Sequence, residues 1–388
     1  MSPTLPSARA VSPPLGLYIH TPWCVRKCPY CDFNSHAAGP EIPEAAYLRA
    51  LFEDLDADLQ ALAQEVRRRP IESVFIGGGT PSLLSGSFYS ELFENLRRRL
   101  VFAADCEITL EANPGTVDQS RFADFRLAGI NRLSLGIQSF DDAQLKKLGR
   151  IHDSRSAHRA IEAATAAGFD NFNLDLMHGL PHQTPEQAIA DLRQALSWQP
   201  PHLSWYQLTI EPNTEFYSRP PDLPEDDICS QIGDMGSELL HSAGLKNYEI
   251  SAWSKSGHQS RHNLNYWQFG DYLAIGAGAH GKLSLPEGRI QRYWKTRQPE
   301  AYLNRIGSRT SGTQEVALEE RPLEFLMNAL RLNDGVSETV FEERTGLPLS
   351  TIDEPLDAAR KQGLIEPDRL APTSLGRRYL DSLLERFL

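Results

Sequence analysis

The sequence of 388 residues has only five cysteines, and no apolar run approaches the ~20 residues needed to span a bilayer. An odd cysteine count with three in one cluster argues against a disulfide framework and for a reducing compartment. The N-terminus is rich in proline and serine and lacks the apolar stretch of a secretory signal, so we predict a disordered arm at residues 1–15. A net charge of −12 disfavours a nucleic-acid partner. We therefore expect a cytoplasmic protein without a transmembrane segment.

Short β-rich runs alternate with longer amphipathic stretches, which predicts βαβ units and a parallel sheet. The apolar runs end at polar or glycine-rich positions, namely the cysteine loop, Gly77 to Thr80, Glu111, Gln138, Asp175, and Gln207 to Glu211. In a parallel β/α barrel such strand ends converge on one face, where functional groups collect. We predict an α/β fold with an incomplete (β/α)6 barrel at residues 16–240. A doubly wound sheet is the alternative, because periodicity alone does not close a barrel.

The strand–helix alternation weakens beyond the barrel. We predict a barrel extension at residues 241–315, which contains two further strand-like runs and a histidine-aromatic segment. Residues 316–388 have the pattern helix, helix, helix, turn, helix, which predicts a small, mostly helical, winged-helix-like domain. From residue 321 onward this part has twelve Asp and Glu against nine Arg and Lys. That acidic balance favours a packing role over DNA binding.

The segment YIHTPWCVRKCPYCDF, residues 18–33, holds Cys24, Cys28 and Cys31. Structural zinc is nearly always four-coordinate, so zinc here would need His20 or His36 as its fourth ligand. A four-iron cluster takes one cysteine thiolate per iron. Three thiolates then leave one iron with an open position, which is useful when a second molecule binds there. The three cysteines alone leave both interpretations open.

CVRKCPYC directly after the first strand, with GGGTP closing the second, resembles the radical S-adenosylmethionine (radical SAM) superfamily. The resemblance implies a [4Fe–4S] cluster whose unique iron is chelated by the amino and carboxylate groups of S-adenosyl-L-methionine. It also implies that one electron passed to the sulfonium releases a 5′-deoxyadenosyl radical. The glycines of GGGTP lack Cβ atoms, so backbone groups there can approach a ligand closely.

Further stretches, YIHTPWC, TLEANPGT, GIQSF, LGRIH and NFNLDLMHGLP, resemble the oxygen-independent coproporphyrinogen III oxidase-like family. The resemblance implies that the metal ligands are Cys24, Cys28 and Cys31, and that the S-adenosylmethionine contacts are Tyr18, Tyr30, Gly78, Gly79, Thr80, Glu111, Gln138, Arg150 and Asp175. Glu111 and Asp175 can bond the ribose hydroxyls or the methionine ammonium, and Arg150 can pair with its carboxylate. Taken singly, Gln138 and Asp175 are better explained as strand-end residues that cap a neighbouring helix, but six strand ends that match the family in order favour the ligand contacts.

Two departures from the family pattern argue against the activity of its coproporphyrinogen III enzymes, which is an oxidative decarboxylation. Phe33 stands where the decarboxylases have a further cysteine, and the segment before the first strand is short. Residues 261–281, RHNLNYWQFGDYLAIGAGAHG, resemble instead the HemW-type heme chaperones within the same family. A neutral imidazole is a standard axial ligand of heme iron, which makes His262 the leading candidate for heme contact. His258 and His280 are competing candidates in the same segment.

We therefore hypothesise a heme chaperone that binds heme, a [4Fe–4S] cluster and S-adenosylmethionine and delivers heme to acceptor proteins. The resemblance implies respiratory-chain heme proteins as acceptors, peripheral membrane association and a homodimer. The enzymatic alternative is oxygen-independent coproporphyrinogen III dehydrogenation, and a zinc-stabilised binding module is the third hypothesis. The two remaining cysteines, Cys106 before the third strand and Cys229 in a helical stretch, are expected to be small buried apolar residues.

Overall fold

The computed structural model describes residues 12–388, so the predicted arm at residues 1–15 lies mostly outside the described residues. The strands are β1 (Leu15–Thr21), β2 (Trp23–Cys24), β3 (His36–Ala37), β4 (Ile71–Gly78), β5 (Phe102–Ala112), β6 (Arg132–Gln138), β7 (Phe172–His178), β8 (His202–Gln207), β9 (Lys246–Asn247), β10 (Ala252–Ser254), β11 (Asp271–Ile275), β12 (His280–Ser284), β13 (Ile290–Lys295) and β14 (Thr310–Glu315).

The α-helices are α1 (Glu44–Ala61), α2 (Gln64–Arg67), α3 (Gly86–Arg99), α4 (Gln119–Ala128), α5 (Asp142–Lys147), α6 (Ser154–Ala166), α7 (Pro185–Ser197), α8 (Glu215–Ser218), α9 (Asp226–Ser242), α10 (Arg261–Trp267), α11 (Pro299–Asn304), α12 (Arg321–Ala329), α13 (Glu338–Thr345), α14 (Asp353–Lys361), α15 (Ser374–Arg378) and α16 (Leu380–Leu384). Short 3₁₀ helices occupy Pro81–Leu83, Pro114–Thr116, Pro286–Gly288, Leu349–Ile352 and Glu385–Phe387. Across residues 12–388, we find no helix with both the length and the apolar character needed to cross a membrane.

The barrel consists of six parallel strands, β1 and β4 to β8, which lie side by side in chain order. A doubly wound sheet reverses its strand order at a switch point, so the unbroken order excludes that alternative. Within the described residues β8 pairs with β10 and β1 pairs with β11, and β8 and β1 do not pair with each other. The prediction of an incomplete six-stranded barrel is therefore confirmed.

The connecting helices begin and end where their sequences provide caps. At the start of α6, the Asp153 carboxylate accepts a hydrogen bond from the backbone N–H of Ser156, and past its end Gly168 adopts a φ of 84°. Thr184 and Gln187 form a reciprocal capping box at the start of α7. The buried faces of these helices join one apolar core with the barrel strands. Burial of that core holds the strand ends in a fixed arrangement at the open face.

Two strands begin or end elsewhere than the sequence predicted. Asp175 is not at a strand end, because β7 continues for three more residues to His178. Cys106 lies inside β5, which begins at Phe102, and not before it. Both differences arise because polar residues on one side of a strand interrupt the apolar pattern without interrupting the backbone pairing.

The segment after the barrel extends the sheet past β1. Strand β11 is parallel to β1, and β12 to β14 follow in antiparallel order. In β13 the fully buried Lys295 ammonium lies 2.7 Å from the carboxylates of both Asp54 and Asp58 on α1. The Tyr302 hydroxyl donates a 2.7 Å hydrogen bond to Asp54. This buried network attaches the extension to the first barrel helix.

The last part of the chain contains the predicted helices. Helices α12 to α14 are accompanied by two antiparallel bridges. Val336, between α12 and α13, pairs with Leu370, and Ile365 after α14 pairs with Pro372; α15 and α16 follow. Its apolar residues form a second core that includes Tyr248 and Phe269 of the preceding segment. The helices are therefore packed against the rest of the protein. The domain boundaries at residues 240 and 315 stay predictions.

Candidate functional site

A cavity of about 370 Å³ opens at the carboxyl ends of the barrel strands. Its lining includes the three clustered cysteines and most of the other residues that the sequence analysis singled out, namely Cys24, Cys28, Cys31, Tyr30, Gly78, Gly79, Thr80, Glu111, Gln138, Arg150 and Asp175. Tyr18 and His262 do not line this cavity. The fold thus brings three thiols, two carboxylic acids and a guanidinium to one cavity, although they come from distant parts of the sequence.

The cysteine loop lies across the mouth of the barrel between β1 and α1. The Cys31 backbone N–H donates to the Cys28 carbonyl oxygen at 3.1 Å, which closes a turn between the second and third cysteines. The Cys24 sulfur accepts a hydrogen bond from the Thr80 hydroxyl at 3.4 Å. Burial raises the pKa of the Cys24 and Cys31 thiols. Iron or zinc binds the thiolate, so metal binding at this loop must release protons.

The arrangement of donors fits a multi-iron cluster better than a single zinc ion. Both ring nitrogens of His20 are occupied, since they lie 2.7 Å from the Tyr18 hydroxyl and 2.8 Å from the Asn34 carbonyl oxygen. His36 lies 3.2 Å from the Asn34 side-chain oxygen. Within residues 12–388, no group of three His, Cys, Asp or Glu side chains is placed to hold one metal ion. A four-iron cluster needs no such convergence, because each thiolate binds a different iron.

The glycine-rich loop after β4 packs directly on the cysteine loop. The backbone N–H groups of Gly79 and Thr80 donate to the carbonyl oxygens of Thr21 and Trp23 at 2.6 and 2.7 Å. Gly78 has a φ of 111°, and a Cβ there would lie 2.5 Å from the His20 ring. A Cβ at Gly79 would lie 2.5 Å from the Trp23 carbonyl oxygen. The glycines are therefore required for contact between the two loops.

We predict that Gly78→Ala lowers the free energy of unfolding by about 2 kcal/mol, because the alanine would need a left-handed backbone and would clash with His20. Iron loading should fall as well, since the cysteine loop would be displaced. Urea unfolding and iron analysis measure the two effects. Gly233→Ala is the matched control. Gly233 lies inside α9, and apart from the neighbouring backbone of that helix no atom of the described residues lies within 4 Å of the added Cβ, so we expect a gain of roughly 0.5–1 kcal/mol. Equal stability of the two variants would contradict this account of the loop.

Two acidic side chains lie close enough in the cavity to affect each other. One Glu111 oxygen accepts the Gly78 backbone N–H at 3.1 Å. Burial, followed by the charge of Asp175, raises the pKa of Glu111 to about 8. Burial also raises the pKa of Asp175, although Ser134 and Asn173 donate hydrogen bonds of 2.9 and 2.7 Å to its carboxylate. A cationic or hydroxyl-bearing ligand between these acids would relieve the repulsion.

Arg150 lies beside the cysteine loop and lines the cavity. Its guanidinium donates to the Gly136 carbonyl oxygen at 2.8 Å and to the Asn113 side-chain oxygen, and one nitrogen is 3.7 Å from the Cys28 sulfur. Its buried Nε has no hydrogen-bond partner among the described residues. A guanidinium with a free donor in the cavity can bind a carboxylate.

The structure does not place Gln138 and Asp175 at helix caps, which was the simpler explanation for each alone. The Gln138 side-chain oxygen accepts the Tyr206 hydroxyl at 2.8 Å, and Gln138 has a φ of 68°. A positive φ in a residue other than glycine costs free energy, and such strain is concentrated at functional sites. Asp175 bonds to side chains of neighbouring strands.

Tyr18 and His262 do not line the cavity, and the rings of both stack on Phe75. The Tyr18 ring stacks on Phe75 at 5.8 Å, and the His262 ring stacks on it at 4.1 Å. His262 is 7% exposed; its Nδ1 lies 2.9 Å from the Ser260 hydroxyl and 3.6 Å from a Glu107 oxygen. Of the competing candidates, His280 is exposed and His258 is partly exposed. Neither lines the cavity.

Several cavity residues were missed by the sequence analysis. Ser134, Ser204 and Tyr206 lie on barrel strands next to the predicted acids, and the alternation of polar and apolar residues in RLSLG and HLSWY is a pattern that would have identified them. A second group comes from outside the barrel. Asn263 and Trp267 belong to the histidine-aromatic segment that the sequence analysis singled out, whereas Glu249, Ser251 and Arg331 were missed. No local pattern identifies these three, because only the folded arrangement brings their segments to the barrel.

Comparison with known proteins agrees with this geometry. Residues 18–195 match the family model of the radical SAM superfamily, and residues 316–379 match that of the HemN C-terminal domain. Proteins named heme chaperone HemW are 51% identical in Haemophilus influenzae and 52% identical in Escherichia coli. Each similarity covers 97% of this chain and 98% of the relative.

The fold agrees with that of a solved radical SAM enzyme, coproporphyrinogen III oxidase (HemN) from Escherichia coli. The TM-score is 0.81 with 22% identity, over 97% of this chain and 90% of that one. At this identity the likeness establishes the fold alone. Together with the full-length relatives, these matches show that the chain belongs to the HemW-type group of the radical SAM superfamily.

Proposed function

We propose that this protein is a heme chaperone that binds a [4Fe–4S] cluster, S-adenosylmethionine and heme. The observation that carries the role is the similarity over 97% of the chain to two proteins named heme chaperones. The cavity supports the cofactors separately, because three thiols, two acids and a guanidinium line it together. One N–H of that guanidinium has no hydrogen-bond partner among the described residues. For the zinc-stabilised module, both ring nitrogens of His20 are hydrogen-bonded, which leaves His36 as the candidate fourth ligand.

The proposed cluster ligands are Cys24, Cys28 and Cys31. When bound, the cluster supplies an iron with an open coordination position and a source of one electron. The Thr80 hydroxyl donates to the Cys24 sulfur, and such hydrogen bonds stabilise a bound thiolate and tune its potential. Arg150 lies beside Cys28 and adds positive charge where a cluster with three thiolate ligands is anionic.

For S-adenosylmethionine we propose that Glu111 and Asp175 bind its ammonium or ribose hydroxyls and that Arg150 binds its carboxylate. The raised pKa of Glu111 supports this proposal, because it reflects a buried carboxylate beside a second acid. A bound ammonium group would stabilise the ionised form of this carboxylate. Further proposed contacts are Tyr30, Gly78, Gly79, Thr80 and Gln138. Tyr18, which the resemblance implies as another contact, does not line the cavity, and we propose that it acts by holding His20 against the glycine loop.

For heme we propose a position at the cavity mouth near α10. Trp267 and Asn263 of that helix line the cavity, and Phe33, which is 59% exposed, lies at the same opening. Aromatic rings of this kind stack on a flat macrocycle. The proposed iron contact is His262 on the same helix. Because His262 now stacks on Phe75, contact with the iron requires α10 to turn.

A heme titration with absorbance detection tests this contact. We expect His262→Ala to shift the Soret band and weaken binding by about tenfold or more, because the iron loses a nitrogen ligand. His280→Ala is the matched control, since His280 is an exposed histidine of the same segment and should bind heme as the wild type does. Circular dichroism checks that both variants are folded. An unchanged band and affinity in His262→Ala would remove this residue from the site.

Delivery of heme to respiratory-chain proteins, peripheral membrane association, a homodimer and a cytoplasmic location are further proposals that rest on the family resemblance. Transfer from the heme-loaded protein to an apo-cytochrome, followed by its Soret band, tests delivery. An anaerobic assay that detected decarboxylation of coproporphyrinogen III by the purified protein would support the dehydrogenase alternative instead.

A further inference from the structure

Arg331, an arginine of the cavity wall, finds no hydrogen-bond acceptor for its side chain within the part of the chain that the structure describes. Arg331 follows α12 and lines the cavity together with Glu249, Asn263 and Trp267. The Arg331 guanidinium carbon lies 4.3 Å from the centre of the Trp267 ring, and its nearest carboxylate oxygen, on Glu249, is 3.9 Å away. That distance is too long for a hydrogen bond. Within residues 12–388 no side-chain hydrogen bond of Arg331 is formed, and its buried Nε has no partner.

The indole N–H of Trp267 is also buried without a hydrogen-bond acceptor among the described residues. One oxygen of Glu249, Oε2, is also buried and receives no hydrogen bond from any residue between 12 and 388. The other oxygen accepts the backbone N–H and the hydroxyl of Ser251, both at 3.1 Å. Buried donors that have lost water without gaining an acceptor destabilise a fold, so such a group calls for an explanation.

The backbone that carries Arg331 is firmly held. Leu332 pairs with Glu249 in an antiparallel bridge. The Asn333 backbone N–H donates to the Tyr248 carbonyl oxygen at 3.0 Å, and its side chain donates to the Asn247 carbonyl oxygen at 2.9 Å. The guanidinium is therefore oriented by its stacking on Trp267 and by the backbone, while its N–H donors are left for another molecule.

We propose that Arg331, with Trp267 and Asn263 beside it, binds a carboxylate of the porphyrin, that is, a propionate side chain of the heme. The inference rests on the proposed function and identifies how the same cavity holds its cargo. A guanidinium presents paired N–H donors that match the two oxygens of a carboxylate, and a stacked arginine is oriented for such contact. The heme ring beside the propionate would then lie against the aromatic residues of α10.

The charges around the site agree with this assignment. Glu249 is the acid nearest to Arg331, and burial raises the pKa of Glu249, which weakens its competition for the guanidinium. The other carboxylates in the cavity, Glu111 and Asp175, would repel an anion. S-adenosylmethionine also has a carboxylate, for which Arg150 beside the cysteine loop is the proposed partner. The two sources of a carboxylate are therefore assigned to different arginines.

The test compares Arg331→Met with the wild type in titrations with heme, heme dimethyl ester and S-adenosylmethionine, all in the same detergent-containing buffer. Methionine keeps contact with Trp267 but removes the donors. We expect about tenfold weaker heme binding, as for loss of a charge-assisted hydrogen bond, with unchanged binding of the dimethyl ester and of S-adenosylmethionine. Arg331→Lys should recover part of the affinity. Arg289→Met is the matched control, because Arg289 is half-exposed, has a similar 4.0 Å contact with Glu315, and lies outside the cavity.

Equal binding of heme by Arg331→Met and the wild type would overturn the inference while leaving the proposed function intact. If Arg331→Met weakened only the binding of S-adenosylmethionine, Arg331 would bind the carboxylate of that ligand and not a heme propionate. That result would also overturn the inference. Should Arg331→Met fail to fold, the wild type still decides, because the inference requires heme to bind at least several-fold more tightly than its dimethyl ester. If the wild type binds neither porphyrin, the proposed function fails with it.

Discussion

Cys28→Ser is expected to reduce the iron bound after anaerobic reconstitution to less than about a tenth of the wild-type amount. The serine hydroxyl does not ionise near neutral pH and is a poor ligand for iron, and only two thiols would remain at the loop. The brown colour and the broad absorbance near ~400 nm that iron–sulfur clusters give should disappear. Iron and sulfide analysis of the desalted protein gives the measurement.

Cys229→Ser is the matched control for this experiment. Cys229 is a buried thiol in α9 that lies outside the cavity and donates a hydrogen bond to the Pro224 carbonyl oxygen at 3.7 Å. We expect wild-type iron content from this variant. The metal-free forms of both variants should unfold within about 1 kcal/mol of the wild type, because each substitution replaces sulfur by oxygen and changes little volume. Wild-type iron content in Cys28→Ser would show that the cluster is bound elsewhere.

Glu111→Gln is expected to have opposite effects on stability and on ligand binding. Burial and the charge of Asp175 raise the pKa of Glu111 to about 8 in the ligand-free protein, whereas an unfolded chain has a glutamate pKa of about 4.3. Between these two values the folded state holds a proton that the unfolded state has released. The free energy of unfolding of the wild type therefore falls as the pH rises through this window and is lowest above pH about 8.

Glutamine does not titrate, so this part of the pH dependence should be absent in Glu111→Gln. We expect the variant to gain about 2 kcal/mol relative to the wild type between pH 5 and pH 9, a value reduced because water can enter the open cavity. Its affinity for S-adenosylmethionine should fall at least tenfold, since the ammonium loses an ionised partner. Urea unfolding at both pH values and isothermal titration provide the data.

Glu94→Gln is the control for the acid, because Glu94 is an exposed residue of α3 that pairs with Arg98. It should change neither the pH profile nor the binding of S-adenosylmethionine. If Glu111→Gln bound S-adenosylmethionine as tightly as the wild type, Glu111 would have no place in the ligand site. A pH profile parallel to that of the wild type would show instead that the acid is ionised in the folded protein.

The part of the site that the sequence predicted is the part set by local chemistry and by strand direction. A short stretch of sequence is enough to recognise three cysteines in eight positions, a glycine-rich turn, or an acid at the end of a strand. Parallel strands then place these residues on one face of the barrel. This is why Cys24, Gly79 and Glu111 line one cavity although distant segments carry them.

Other features depend on register and on tertiary contacts, which no short stretch of sequence encodes. Ser204 is a cavity residue because β7 and β8 pair Asp175 with Ser204. Arg331 reaches the cavity because Leu332 pairs with Glu249. For His262, the sequence predicted contact with heme. In the fold its ring instead stacks on Phe75 and lies close to the Glu107 carboxylate. A histidine within an aromatic stretch looks the same in either position.

Electron paramagnetic resonance of the reduced, anaerobically reconstituted protein tests most directly whether three thiolates leave one iron open for S-adenosylmethionine. We expect about four irons and four sulfides per chain and a cluster signal whose g-values shift when S-adenosylmethionine is added, because the ligand binds the unique iron. Cys28→Ser should give no cluster signal. A wild-type signal identical with and without S-adenosylmethionine, or a chain that takes up zinc but no iron and sulfide, would contradict the account.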